Sequence, residues 1–162
     1  MQIRDFITPD RVAYRLHAAS KKRALELVSG LLAGGDASLA ETEVFDCLVA
    51  RERLGSTGLG HGIALPHGRI KGLKRIMGGF VRLDQGVDFD AIDGERVDLV
   101  CGLVVPAEAS EEHLQVLASL AALFSETEMR DRLRRAESAA QLYDLLISHD
   151  AAPVKQTAAP RR

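Results

Sequence analysis

The run Val97-Asp98-Leu99-Val100-Cys101-Gly102-Leu103-Val104-Val105 constrains the fold more than any other part of the chain. It is apolar nearly throughout, and it is the length of a strand rather than a helix. A strand with apolar side chains at both odd and even positions must be covered on both faces, so it belongs at the centre of a sheet with a layer above and a layer below. Met77–Leu83 is a second strand candidate, Ile63-Ala64-Leu65 a short one, and Val87-Asp88-Phe89 a possible edge piece.

Helical patterns supply the covering layers. Ser20 precedes a helix with Ala24, Leu25, Val28, Leu31 and Leu32 on one side, and Gly34-Gly35 ends it. Ser38-Leu39-Ala40-Glu41, Ser125-Glu126-Thr127-Glu128 and Ser138-Ala139-Ala140-Gln141 fit the capping-box pattern Ser-x-x-Glu/Gln. The first opens a helix running to about Arg53, and the others open short helices ending near Arg135 and Ile147. Ser110 starts a further helix with Leu114, Leu117, Leu120, Ala121 and Phe124 expected to face inward. Helices, a glycine loop, strands and helices in that order predict an α/β fold, a mixed β-sheet sandwiched between α-helices. With 162 residues and no repeat, one domain over residues 1–150 is expected, with a disordered tail over 151–162.

Charge and cysteine content remove several function classes. The net charge is −2, and Lys21–Arg23, Lys71, Lys74, Arg75 and the arginines between 130 and 135 are dispersed among acids, so no nucleic-acid stripe forms. No apolar run approaches the ~20 residues that span a bilayer. No secretory signal is visible, and the only two cysteines, Cys47 and Cys101, sit among apolar neighbours as small hydrophobes. A cytoplasmic protein without a disulfide and without membrane insertion is expected.

The chemistry concentrates in Gly55-Ser56-Thr57-Gly58-Leu59-Gly60-His61-Gly62, which no regular helix survives, and in the segment after it. Gly55-x4-Gly60 lacks the Lys-Ser/Thr of a nucleotide-binding loop and opens a strand rather than a helix. The dinucleotide fingerprint lacks its third glycine, and Ser56 is not in an esterase elbow. What remains is Ile63-Ala64-Leu65-Pro66-His67-Gly68, an imidazole beyond a short strand, between a stiffening proline and an uncrowded glycine. A lone histidine is more often structural than catalytic, so this pattern alone leaves both readings open.

From Glu52 to Gly68 the chain resembles the phosphorylation-site pattern of the mannitol/fructose-type enzyme IIA domains of the bacterial phosphotransferase system. Glu52, Leu59, Gly60, Ile63, Ala64, Leu65, Pro66, His67 and Gly68 all fit it. Ser20–Glu26, Arg51–Gly58, Phe89–Asp93, Val97–Leu99 and Val104–Ala107, followed by His113-Leu114, resemble its nitrogen-regulatory branch, over about residues 1–148. The resemblance implies that His67 takes a phosphoryl group from a histidine-containing phosphocarrier protein, with His113 and Arg51 as the other site residues. It also implies regulatory target proteins as partners. His61 departs from the small polar residue, such as Asn, expected at its position, and adds a titratable group near the site.

Each role has a plainer counterpart. His113 could only head an apolar stripe, and Arg51 could only complement a helix C-terminus. A zinc centre of His61, His67 and His113 is disfavoured, because an extended 61–67 segment holds its ends roughly 20 Å apart. No cofactor and no metal are expected. Two alternatives stay open: a non-catalytic binding module of the same fold, and a IIA component that passes phosphate to a separate sugar-specific IIB protein.

Overall fold

The fold is described from a computed structural model covering residues 1–108 and 111–158, with side chains described up to residue 150. Among the described residues, five α-helices cover both faces of one six-stranded sheet. The strands are β1 (Ile7–Leu16), β2 (Gly58–Gly60), β3 (Ile63–Ala64), β4 (His67–Ile70), β5 (Met77–Val87) and β6 (Val97–Pro106). The helices are α1 (Lys21–Gly34), α2 (Glu41–Glu52), α3 (Glu111–Phe124), α4 (Thr127–Arg135) and α5 (Ala139–Ala158).

The Val97–Val105 run is the central strand, as its composition demands. β6 pairs antiparallel with β5 on one side and parallel with β3 and then β4 on the other. Its side chains alternate between two cores. Leu99, Cys101, Leu103 and Val105 meet Val116, Leu120, Leu123 and Phe124 of α3. Val100 and Val104 meet Val28 and Leu32 of α1 and Val44 and Leu48 of α2. Gly102 faces α1 so closely that a β-carbon there would overlap Val28. The expected mixed sheet between helices is therefore the observed one, with α1 and α2 on one face and α3 to α5 on the other.

Several local expectations fail for physical reasons. β1 was not expected at all. It lies parallel beside β5 at one end of the sheet, with its register broken between Ile7 and Val12. The buried Arg11 side chain fills that irregularity, donating to the carbonyls of Gly78 (3.0 Å) and Phe6 (3.0 Å). The expected Val87–Phe89 edge piece does not form: Val87 ends β5 opposite Val97, and Asp88 and Phe89 lie beyond the strand.

The Ser20 cap is present, its Oγ accepting from the Arg23 N–H. Ser38 does not cap α2; it closes a turn on Asp36, and Ala40 takes the cap position. Ser125 donates back to the Ala122 carbonyl, and Glu126 precedes α4. Ser138 does accept from the Gln141 N–H, but Gln141 reaches Glu137 rather than closing the box on Ser138. The Ser110 cap lies outside the described residues, and so do residues 159–162 of the expected tail. α5 continues past Ile147 to Ala158. Leu114 is exposed, and His113 and Val116 take the inward positions of α3 instead.

Candidate functional site

The Pro66 N–H that β3 would need to run on unbroken does not exist, so the strand stops at Ala64 and resumes as β4 at His67. The Pro66 carbonyl still accepts from the Leu103 N–H (3.0 Å), which keeps both pieces in register with β6. Among the described residues β4 pairs with β6 alone, so its other edge faces a depression beside α2. Within β4, His67 and Arg69 share one face, and Gly68 and Ile70 share the other. Ile70 joins the core under α1 and α2, while His67 meets α3.

This geometry brings the three expected residues together. A depression of about 370 Å³ is lined by Arg51 from the last turn of α2, His67 and Arg69 from β4, and His113 from the first turn of α3, with Cys47 and Leu54 completing the wall. The His67 and His113 ring centroids are 5.6 Å apart. Arg51 donates from Nη1 to the Gly55 carbonyl (2.9 Å), so one arm holds the glycine turn while the guanidinium lines the depression.

The His67 tautomer follows from its partner. Nδ1 lies 2.8 Å from the Leu65 carbonyl oxygen, which can only accept; the proton is therefore on Nδ1, and in the neutral ring Nε2 carries a lone pair. The ring is half-buried, and burial pushes its pKa below the ordinary histidine value. The Leu65 bond opposes that shift, the Arg51 cation adds to it, and the Glu52 carboxylate opposes it. His113 is likewise held down by burial first, then by His67 and Arg69. Its Nδ1 is buried with no hydrogen-bond partner among the described residues, a polar atom of the site left for something else to satisfy.

Arg69 escaped the sequence reading. Its position two residues after His67 in a strand is the signal that finds it, because residues i and i+2 share a face. Its Nη1 donates to the Ala107 carbonyl (2.9 Å) beside the start of α3. The expectation that His61 adds a titratable group near the site is corrected. His61 and Gly62 form the two-residue turn between β2 and β3, with φ of 58° and 82°. Positive φ at both positions is the hairpin geometry that favours Asn-Gly, and it turns His61 toward a different cleft, with Arg96, Asp98 and Arg134. Cys47 and Cys101 are both free thiols. Cys101 is in the core, while Cys47 is only half-buried and lines the depression. Among the described residues no three His, Cys, Asp or Glu side chains converge to hold a metal, and no helix is long and apolar enough to cross a membrane.

Residues 5–149 match the model of the family described as phosphoenolpyruvate-dependent sugar phosphotransferase system, EIIA 2. The chain is 42% identical over 147 residues to a nitrogen regulatory protein of Pseudomonas aeruginosa, covering 91% of this chain and 96% of that one. The crystal structure of the nitrogen regulatory protein IIA-Ntr from Neisseria meningitidis superposes with a TM-score of 0.84 at 42% identity, covering 89% of this chain and 98% of that one. IIA mannitol from Escherichia coli superposes with a TM-score of 0.73 at 26% identity, covering 86% and 97%.

Proposed function

This chain belongs to the EIIA 2 family of the phosphoenolpyruvate-dependent sugar phosphotransferase system, and from that premise we propose that it is a phosphocarrier-regulator that accepts a phosphoryl group on Nε2 of His67 from a histidine-containing phosphocarrier protein. The observation that carries the proposal is the 2.8 Å contact between His67 Nδ1 and the Leu65 carbonyl, which leaves Nε2 as the nucleophile. The Nε2 lone pair attacks phosphorus, and the N–P bond to the carrier's phosphohistidine breaks. The departing electron pair stays on the carrier ring, which leaves as a neutral imidazole because its other nitrogen keeps its proton. His67 keeps its Nδ1–H, and the carbonyl opposite that N–H stabilises the positive charge that grows on the ring. One phosphohistidine replaces another, so the step is nearly balanced, and the protein's task is alignment and charge stabilisation.

Arg51 and Arg69 supply positive charge to the phosphoryl oxygens from two sides of the depression, and His113 donates a hydrogen bond from its neutral ring. Phosphorylation adds a charge of about −1.5 to −2 at the centre of this face. Leu54, Leu59 and Leu114 are exposed on the elements around it. A target protein packing apolar surface there is repelled by the phosphorylated form, because burying an unpaired charge is costly. Target proteins are regulated by that difference. Kinship with the mannitol IIA protein supports a second reading, in which the same phosphohistidine passes its group to a separate sugar-specific IIB protein.

Incubation with phosphoenolpyruvate, the general phosphotransferase enzyme and the carrier, followed by peptide mapping, tests the acceptor. His67 takes the label and His67→Ala takes none. Undiminished labelling of His67→Ala overturns the proposal.

A further inference from the structure

Next to the phosphate depression lies a buried charge that the transfer itself does not touch. Glu52, the last residue of α2, is 8% exposed. Its Oε2 accepts from the Thr57 N–H (2.8 Å), and its Oε1 accepts from the Thr57 hydroxyl (2.6 Å). Lys21 Nζ, at the start of α1, lies 3.0 Å from Oε2. Thr57 is itself 5% exposed, and its carbonyl accepts from the Leu65 N–H (3.0 Å). The Leu65 carbonyl is the group that holds His67 Nδ1. An unbroken line of hydrogen bonds therefore runs from Lys21 through Glu52, Thr57 and Leu65 to the imidazole.

Resting on the reading of His67 as phosphoryl acceptor, we propose that Glu52 is a positioning residue: acting through Thr57, it fixes the Leu65 carbonyl and with it the tautomer and aim of His67. The local sequence explains why such an anchor is needed. The β2–β3 hairpin has strands of only three and two residues, and the stretch leading into it is Gly55-Ser56-Thr57-Gly58. Glycine-rich chain with so few ladder bonds does not hold one conformation unaided. Glu52 puts both carboxylate oxygens on one residue of that stretch, which removes its freedom to rotate. A carboxylate present only to neutralise Lys21 would not need this arrangement, since Lys21 also has the Phe89 carbonyl (3.2 Å) and Asp90 (3.6 Å) as partners. Ser56 ties the same stretch to Phe89, donating to the carbonyl that Lys21 uses (2.8 Å).

The full chain is compared with Glu52→Gln, Thr57→Val and Thr57→Ser by two measurements. The first is the ¹⁵N spectrum of the His67 ring without any donor, which reports where the ring proton sits. The second is transfer from purified phosphorylated carrier, resolved into saturated rate and KM. In the wild type the proton resides on Nδ1. In Glu52→Gln and Thr57→Val part of it moves to Nε2, and the saturated rate falls ~10-fold or more with KM little changed. Thr57→Ser, which keeps the hydroxyl, restores both signals. A wild-type tautomer and saturated rate in Glu52→Gln and Thr57→Val overturn the proposal, and so does equal loss in Thr57→Ser and Thr57→Val. Should Glu52→Gln lose its dispersed amide spectrum, the threonine pair decides. If the tautomer shifts as expected while wild-type protein takes no phosphate on His67, the acceptor reading fails and the positioning of the ring stands.

Discussion

Replacing Gly68 with alanine perturbs the site through packing alone. Gly68 lies between His67 and Arg69 and faces α2. A β-carbon there would fall on Cys47 Sγ, well over an ångström inside the ordinary ~3.5–4.0 Å contact. It would also sit 3.3 Å from the Cys47 carbonyl oxygen. The thiol has somewhere to go only at a cost: turning it away breaks its contact with the Arg69 carbonyl (3.2 Å) and leaves the carbonyl crowding in place. The helix backbone does not yield cheaply, so β4 is pushed outward. Overpacking of this kind costs about 1–3 kcal/mol. At about 2–4 °C per kcal/mol for a chain of this size, Tm falls by about 2–12 °C. The same displacement moves His67 and Arg69, so transfer slows as well. Cys47→Ala removes the obstructing sulfur and costs about 1 kcal/mol or less alone. The double variant therefore recovers most of the loss, with a coupling of about 1–2 kcal/mol. Thermal unfolding and transfer rates of the four proteins check this. A Gly68→Ala protein as stable as wild type, or strictly additive losses in the double variant, refutes the packing argument.

Stability also depends on pH in a defined direction. Burial holds His67 and His113 below the ordinary histidine value of ~6.5, so the unfolded chain binds more protons in that range. Their contribution is complete above about pH 6.5 and is lost as pH falls through the folded values; urea midpoints that rise on acidification from pH 7 contradict this. Acceptor activity extends to lower pH than an ordinary histidine allows, because burial favours the neutral His67 ring, and single-turnover rates against pH measure it. Arg51→Ala and His113→Ala each slow transfer by an amount equivalent to about 2–4 kcal/mol, and wild-type rates at saturating donor would leave both residues as scaffold. Asp150, 5% exposed, accepts from the Ile3 N–H (2.7 Å) and the Arg4 N–H (3.0 Å). Asp150→Ala destabilises by about 1–3 kcal/mol by orphaning those donors, while labelling of His67 is retained; unchanged unfolding would show that the N-terminal turn contributes nothing.

What was legible in the sequence was what local patterns determine. β6 announced itself by being apolar on both faces, and α1 by its serine cap and apolar stripe. His67 stood out in the pattern around Pro66, whereas Arg51 and His113 came only through the family resemblance; the depression brings all three together. β1 stayed hidden because Pro9, Asp10 and Arg11 interrupt its alternation, and Arg11 becomes intelligible only with the Gly78 and Phe6 carbonyls in place. Ser38 and Ser125 misled because a nearby Asp36 carboxylate and the preceding helical turn compete for serine hydroxyls. Glu52 was visible as a member of the pattern, but its work on Thr57 and Lys21 is tertiary and leaves no periodic trace. Arg69 was within reach of simple strand alternation, once β4 was known to begin at His67 rather than before it.

The central claim is that Leu65 holds the Nδ1 proton and leaves Nε2 of His67 to take the phosphoryl group. Long-range ¹H–¹⁵N and ³¹P spectra of the protein phosphorylated through the carrier test this atom by atom. The account predicts a single acid-labile phosphoramidate on His67, with phosphorus coupled to Nε2 and the proton still on Nδ1. Phosphorus on Nδ1, or an acid-stable phosphate on Ser56 or Thr57, would contradict it.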